Sequence, residues 1–148
     1  MSNPDVPQTP HTRRGGVLAW LRLARVFQKI DRLSADHLRC RGLSVAQFDL
    51  LAQLGAAEGI TQQELADRLL VTKGNVCQLL DRMEQRGVLV RHQDGRANRL
   101  FLTAAGRALF DEAVPAHEAT IAACFEELSR TEQMQLVRLL RRLDHTLE

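Results

Sequence analysis

Lys73, Gly74, Asn75 and Gln78, with Arg82 one turn further, are spaced to share one side of a short helix. At 3.6 residues per turn, Asn75, Gln78 and Arg82 fall within about 60° of one another. The opposite side carries Val76, Leu79, Leu80 and Met83 at i, i+3, i+4 and i+7, an apolar back. A helix with an apolar back and a short polar front suits the major groove of a nucleic acid duplex. Asparagine and glutamine amides pair bidentately with adenine, lysine reaches a phosphate or a guanine, and Gly74 lets the backbone come close. Further on, Arg96 and Arg99 follow a turn signal, Asp94-Gly95. Arginines held at such a tip enter narrow A·T-rich minor grooves.

These residues need elements to hold them. Apolar residues Trp20, Leu23, Ala24, Phe27, Ile30 and Leu33 recur at helical steps, predicting a long helix over about Val17–Arg41, with Gly42 placed to close it. Residues 1–16 hold three of the four prolines and no periodicity, and read as a flexible tail. Three S/T-x-x-E/Q capping boxes then predict helix starts: Ser44–Gln47, Thr61–Glu64 and Ser129–Glu132. Their helices should run to about Leu54, Leu69 and Leu147. The Lys73 helix follows a short break at Leu70-Val71-Thr72, and Gly87 can end it. Val88–His92 and Arg99–Thr103 read as two strands joined across Gln93–Asn98. A two-stranded hairpin is marginal in water, so this one must lean on the helices. A second long helix is predicted from Ala104 to about Leu128, kinked or divided at Pro115. The sequence therefore predicts a mainly α, α+β chain. Residues 17–148 form one domain, with a helix–turn–helix and hairpin at 44–103 between long terminal helices at 17–43 and 104–148.

Charge agrees with a polyanion partner. The 148 residues carry a formal net charge of only +2, but Arg13–Arg41 is +6, Arg86–Arg99 is +3 and Ala104–Glu148 is −3. No nucleotide loop, carboxylate pair, nucleophile motif or metal set is visible, so an enzyme is not expected, nor a cofactor or metal. His37 with Cys40, and His117 with Cys124, each offer two ligands, which do not make a tetrahedral site. Three widely spaced cysteines form no disulfide framework, and Cys40 stands beside Arg39 and Arg41. No uncharged run approaches a membrane span, so a soluble, cytoplasmic protein without membrane contact is expected.

The motifs together resemble the MarR family of bacterial transcription regulators over about Gly42 to Leu143. The resemblance rests on Thr61-Gln62-Gln63-Glu64-Leu65-Ala66-Asp67-Arg68-Leu69, on Val71-Thr72-Lys73-Gly74-Asn75-Val76 and on Leu80 through Arg91. It rests also on the wing signature Asp94-Gly95-Arg96, followed by Leu102-Thr103-Ala104-Ala105-Gly106, and on Leu128 through Glu132. The resemblance implies a winged helix-turn-helix in which Thr72, Lys73, Gly74, Asn75 and Gln78 belong to the DNA-reading segment. It makes Arg96 the wing arginine and Asp94 its ion-pair partner. The chain departs from the family in a shorter wing between Arg91 and Asp94, and in Leu70 where many members have glycine.

The terminal helices are too apolar for one small domain to bury. The last helix carries Leu136, Leu140, Leu143 and Leu147 in one stripe with Leu139 beside it, and the first adds Val17, Leu18 and Leu21. Packing against a second copy would cover them, in line with the two-fold dimers of the family. Two matching helices would read a pseudo-palindrome with half-sites about 34–36 Å apart. The expected function is sequence-specific binding of double-stranded promoter DNA by a homodimer, as a repressor released by a small-molecule effector. An aromatic cluster of Trp20, Phe27, Phe48 and His117 is the candidate effector pocket. A metal- or redox-responsive regulator of the same fold, or a winged module that binds protein, are the alternatives.

Overall fold

The computed structural model describes residues 10–69 and 75–147. Leu70, Val71, Thr72, Lys73 and Gly74 lie outside the described residues. The elements run α1 (Pro10–Arg39), α2 (Val45–Ala56), α3 (Gln62–Arg68), α4 (Val76–Gln85), β1 (Leu89–Asp94), β2 (Ala97–Leu102), α5 (Ala104–Ala123) and α6 (Arg130–Thr146). Two compact units divide the chain between Leu33 and Ser34, where one domain was expected. The first contains α1 from Pro10 to Leu33, on which Val17, Leu18, Trp20, Leu21 and Phe27 are exposed. The second holds every other element and the core.

α1 starts at Pro10, not at Val17, so residues 10–16 are helical where a tail was expected. Proline fits a first helical turn, because its missing N–H has no intrahelical partner there and its φ is already helical. The chain leaves α1 through Leu43 N–H on Leu38 O (3.1 Å) and Gly42 N–H on Arg39 O (2.9 Å).

All three capping boxes form. Gln47, Glu64 and Glu132 amides donate to the Ser44, Thr61 and Ser129 hydroxyls at 3.1, 3.2 and 3.3 Å. The three side chains return the bond to the cap amides at 3.0, 2.7 and 2.8 Å. The returned bond holds the Glu64 and Glu132 carboxyls below their ordinary pKa.

α5 passes through Pro115 without a break and ends at Ala123, short of Leu128. Proline removes the bond to the Asp111 carbonyl, and both residues are exposed, so water can replace that bond.

The second unit closes over Leu38, Leu50, Leu51, Leu54, Leu65, Leu80, Met83, Leu89 and Leu100, all fully buried. β1 and β2 pair antiparallel from Leu89↔Leu102 to Asp94↔Ala97. The strands are longer and the turn tighter than expected, with only Gly95 and Arg96 between them. Gly95 takes φ 62° and no other residue type has positive φ among the described residues. Those are the φ signs of a type II′ hairpin, which matches strand twist.

The hairpin does lean on the rest, through its backbone as well as its side chains. Gly59 N–H donates to Leu100 O (2.8 Å) and Leu100 N–H to Ile60 O (3.0 Å), and Thr61 bridges Arg99. The connection from α2 to α3 thus acts as a short third strand. Glu58 fastens it further, accepting from Leu102 N–H (2.9 Å) and pairing with Arg107 of α5 (2.8 Å).

Candidate nucleic-acid interface

α4 has the two-sided character its spacing predicted. Val76, Leu80 and Met83 are buried and Leu79 is half-buried, while Asn75, Gln78 and Arg82 are exposed. Gly87, with φ 78°, ends it: Val88 N–H reaches Met83 O at 3.0 Å and Gly87 N–H reaches Glu84 O at 2.9 Å. α3 packs ahead of it, and Gln62 Nε2 donates to Cys77 Sγ at 3.0 Å across the two helices. Thr72, Lys73 and Gly74 of the sequence-derived set fall outside the described residues.

Asn75 has a structural task beside the one its type suggested. It is the N-cap of α4, and its Oδ1 accepts from Gln78 N–H at 3.0 Å. A bidentate pair with adenine needs that oxygen as well as the amide nitrogen, so capping competes with base reading. Gln78, in the first turn, is exposed and its side chain has no hydrogen bond among the described residues. Its amide is open to an outside partner.

The four arginines between Arg86 and Arg99 separate by role. Arg86 donates to Gly42 O (2.6 Å) and Arg41 O (3.3 Å), the carbonyls at the end of α1. Arg91 pairs with Asp81 (2.5 Å) and Glu84 (3.6 Å), neutralising the two acids of α4. Arg99 pairs with Asp94 (2.7 Å) and donates to Gly59 O (2.9 Å). Of the four, only Arg96, on the turn, is exposed with neither an ion pair nor a side-chain hydrogen bond among the described residues. The Asp94–Arg96 pair that the resemblance implied is therefore replaced by Asp94–Arg99. The register explains it: Asp94 faces Ala97, so Arg99 is its same-face diagonal neighbour, whereas Arg96 is inside the turn.

Arg68, in the last turn of α3, was missed in the sequence. It is exposed at the C-terminal end of α3, the first helix of the motif. Its signal was a lone cation at the end of a capped helix.

Of the candidate effector cluster, the structure brings Phe48 and His117 together, with ring centroids 4.2 Å apart. Trp20 and Phe27 belong to the other unit and are 65% and 64% exposed. His117 is 9% exposed; its Nε2 lies 3.2 Å from Ser34 Oγ, and its Nδ1 has no hydrogen-bond partner. Next to it, Arg41 donates to His37 Nε2 (3.1 Å). A guanidinium can only donate, so the His37 proton sits on Nδ1, facing Thr120 Oγ1 at 3.2 Å. Burial, then the neighbouring His37, pushes the His117 pKa below the ordinary imidazole range. The unfolded chain therefore takes up a proton before the fold does. Stability is full above the ordinary imidazole pKa and is lost as pH falls below it. Thermal unfolding should show a melting temperature that declines from about pH 7 to pH 5, and His117→Gln should flatten that decline. An equal decline in the variant would refute the assignment.

Cys40, Cys77 and Cys124 are free and exposed, and no three His, Cys, Asp or Glu side chains gather as a metal site among the described residues. No described helix is long and apolar enough to cross a membrane. The stripe assigned to a partner copy is open: Leu140, Leu143 and Leu147 are 38%, 50% and 77% exposed, while Leu136 is half-buried.

Comparison with known proteins agrees with this geometry. Residues 41–99 match the model of the MarR family. An HTH-type transcriptional regulator of Bacillus cereus is 34% identical over 122 residues, covering 82% of this chain and 83% of the relative. The HTH-type transcriptional repressor YetL of Bacillus subtilis is 30% identical over 131 residues, covering 85% and 78%. A mutant MarR of E. coli, solved in complex with operator DNA, is 27% identical with a TM-score of 0.75, covering 86% of this chain and 95% of that one. The chain thus belongs to the MarR family of winged helix-turn-helix transcriptional regulators, and is a regulator rather than an enzyme.

Proposed function

We propose that the protein is a cytoplasmic homodimeric repressor that binds a pseudo-palindromic promoter site. The observation that carries this reading is the exposed pair Gln78 and Arg82 on α4, together with a hairpin tip whose Arg96 is unpaired among the described residues. α4 enters the major groove, where Gln78 reads a base and Arg82 and Arg68 hold phosphates. Lys73 and Gly74 come before it as the sequence placed them. Arg96 reaches the adjoining minor groove or its phosphates. The open leucine stripe of α6 and the exposed apolar residues of α1 support assembly with a second copy. Repression is favoured by the likeness to YetL, itself named a repressor. Release by a small molecule draws support from the buried, unpartnered Nδ1 of His117 beside Phe48.

Selection of bound fragments from genomic DNA by the purified chain yields the operator, and fluorescence anisotropy then measures affinity against salt. Affinity should fall steeply as salt rises, because several phosphates are neutralised. Gln78→Ala should cost about 1–3 kcal/mol and relax sequence preference at one position of each half-site. Flat salt dependence, or an unchanged preference in the variant, would sink the reading.

A further inference from the structure

We infer that Arg99 is a positioning residue: its guanidinium is a strut that sets the angle at which the wing presents Arg96, without itself touching DNA. This rests on the DNA-binding reading above.

The strut is visible in how the guanidinium is used. Nε donates to Asp94 Oδ2 at 2.7 Å, and NH1 donates to Gly59 O at 2.9 Å. One flat, rigid group thus spans three chain segments: the end of β1, the start of β2 and the connection between α2 and α3. The backbone reinforces the same joint, with Thr61 bridging Arg99 and Gly59 and Ile60 bonded to Leu100. Thr61 also caps α3, and Glu58 in that connection pairs with Arg107 of α5. The joint therefore ties the wing to α3 and α5 together. Beyond it the hairpin has only the pairs Gln93↔Asn98 and Asp94↔Ala97 and the two-residue turn, so a small rotation at Arg99 moves Arg96 sideways. Asp94, which would otherwise oppose phosphates near the tip, is neutralised by the same contact. Lysine cannot replace this function, since a single ammonium lacks the planar fork that serves both acceptors.

Arg99→Lys tests the strut while keeping the charge. With the operator selected above, Arg99→Lys should weaken binding about tenfold and reduce the salt slope by about one, because the Arg96 contact is lost. In an Arg96→Ala background the same change should alter affinity by less than about twofold, as a residue acting only through Arg96 requires. Asp94→Ala, which cuts the strut at its other end, should weaken binding as Arg99→Lys does. Wild-type affinity in Arg99→Lys, losses that multiply with Arg96→Ala, or tighter binding by Asp94→Ala would each overturn the strut and leave the DNA-binding reading intact. A wild-type chain that binds no duplex would overturn both.

Discussion

Replacing Leu140 and Leu143 together by aspartate is expected to leave a folded monomer that binds the operator on the order of 100-fold more weakly or worse. The two side chains are 38% and 50% exposed on α6, so the protomer does not rely on them for its core. In the proposed dimer they are buried, and each buried leucine contributes about 1.5–3 kcal/mol. A carboxylate there loses its hydration and gains no partner, which adds to the loss. Separated protomers hold one half-site each, so the second binding event is no longer tethered to the first. Sedimentation velocity reads the assembly, circular dichroism the fold, and anisotropy the affinity. A variant that stays dimeric, or that binds as the wild type does, refutes this placement of the interface.

The second large effect concerns the joint between α5 and the wing. A Cβ added to Gly106 would lie 1.9 Å from Val88 O and 2.9 Å from Val88 C, both backbone atoms. The same carbonyl accepts from Thr103 N–H at 3.0 Å, and Thr103, the N-cap of α5, also donates through its hydroxyl to Gly87 O at 2.5 Å. Neither side can yield without breaking the cap that starts α5. Gly106→Ala should therefore destabilise the fold by about 3 kcal/mol and lower the melting temperature by roughly 10 °C. Gly16→Ala is the control: nothing lies within 4 Å of its added Cβ, and alanine improves a helix interior by about 1 kcal/mol. Differential scanning calorimetry of the pair decides the matter, and equal melting temperatures would refute the close packing.

Much of the fold was legible one segment at a time. The capping boxes at Ser44, Thr61 and Ser129 each place hydroxyl, amide and carboxyl or amide oxygen within four residues. No distant contact is needed to set them, and all three appear. The apolar back of α4 and the glycine that ends it follow from helical spacing in the same way. Boundaries that depend on neighbours were less legible. Residues 1–16, with three prolines and no periodicity, read as a tail although the proline at position 10 begins a helix, and Pro115 sits within α5 because its lost bond falls on an exposed stretch.

Among the arginines only the part given to Arg96 was legible, through the resemblance that made it the wing arginine; the parts of Arg86, Arg91 and Arg99 were not. In the sequence Arg86, Arg91, Arg96 and Arg99 are one basic cluster. In space Arg86 bonds a carbonyl 44 residues away, Arg99 one 40 residues away, and Arg91 masks two acids of the preceding helix. Only Arg96 is left for an outside partner. Asn75 likewise has the side chain of a base reader and the position of a cap. Residue type and spacing determined by themselves that a winged helix-turn-helix forms, because caps, turns and periodicity act over a few bonds. Which charged or amide group faces outward was decided only when the chain closed, because a guanidinium or amide takes the nearest acceptor in space, whatever its distance along the sequence.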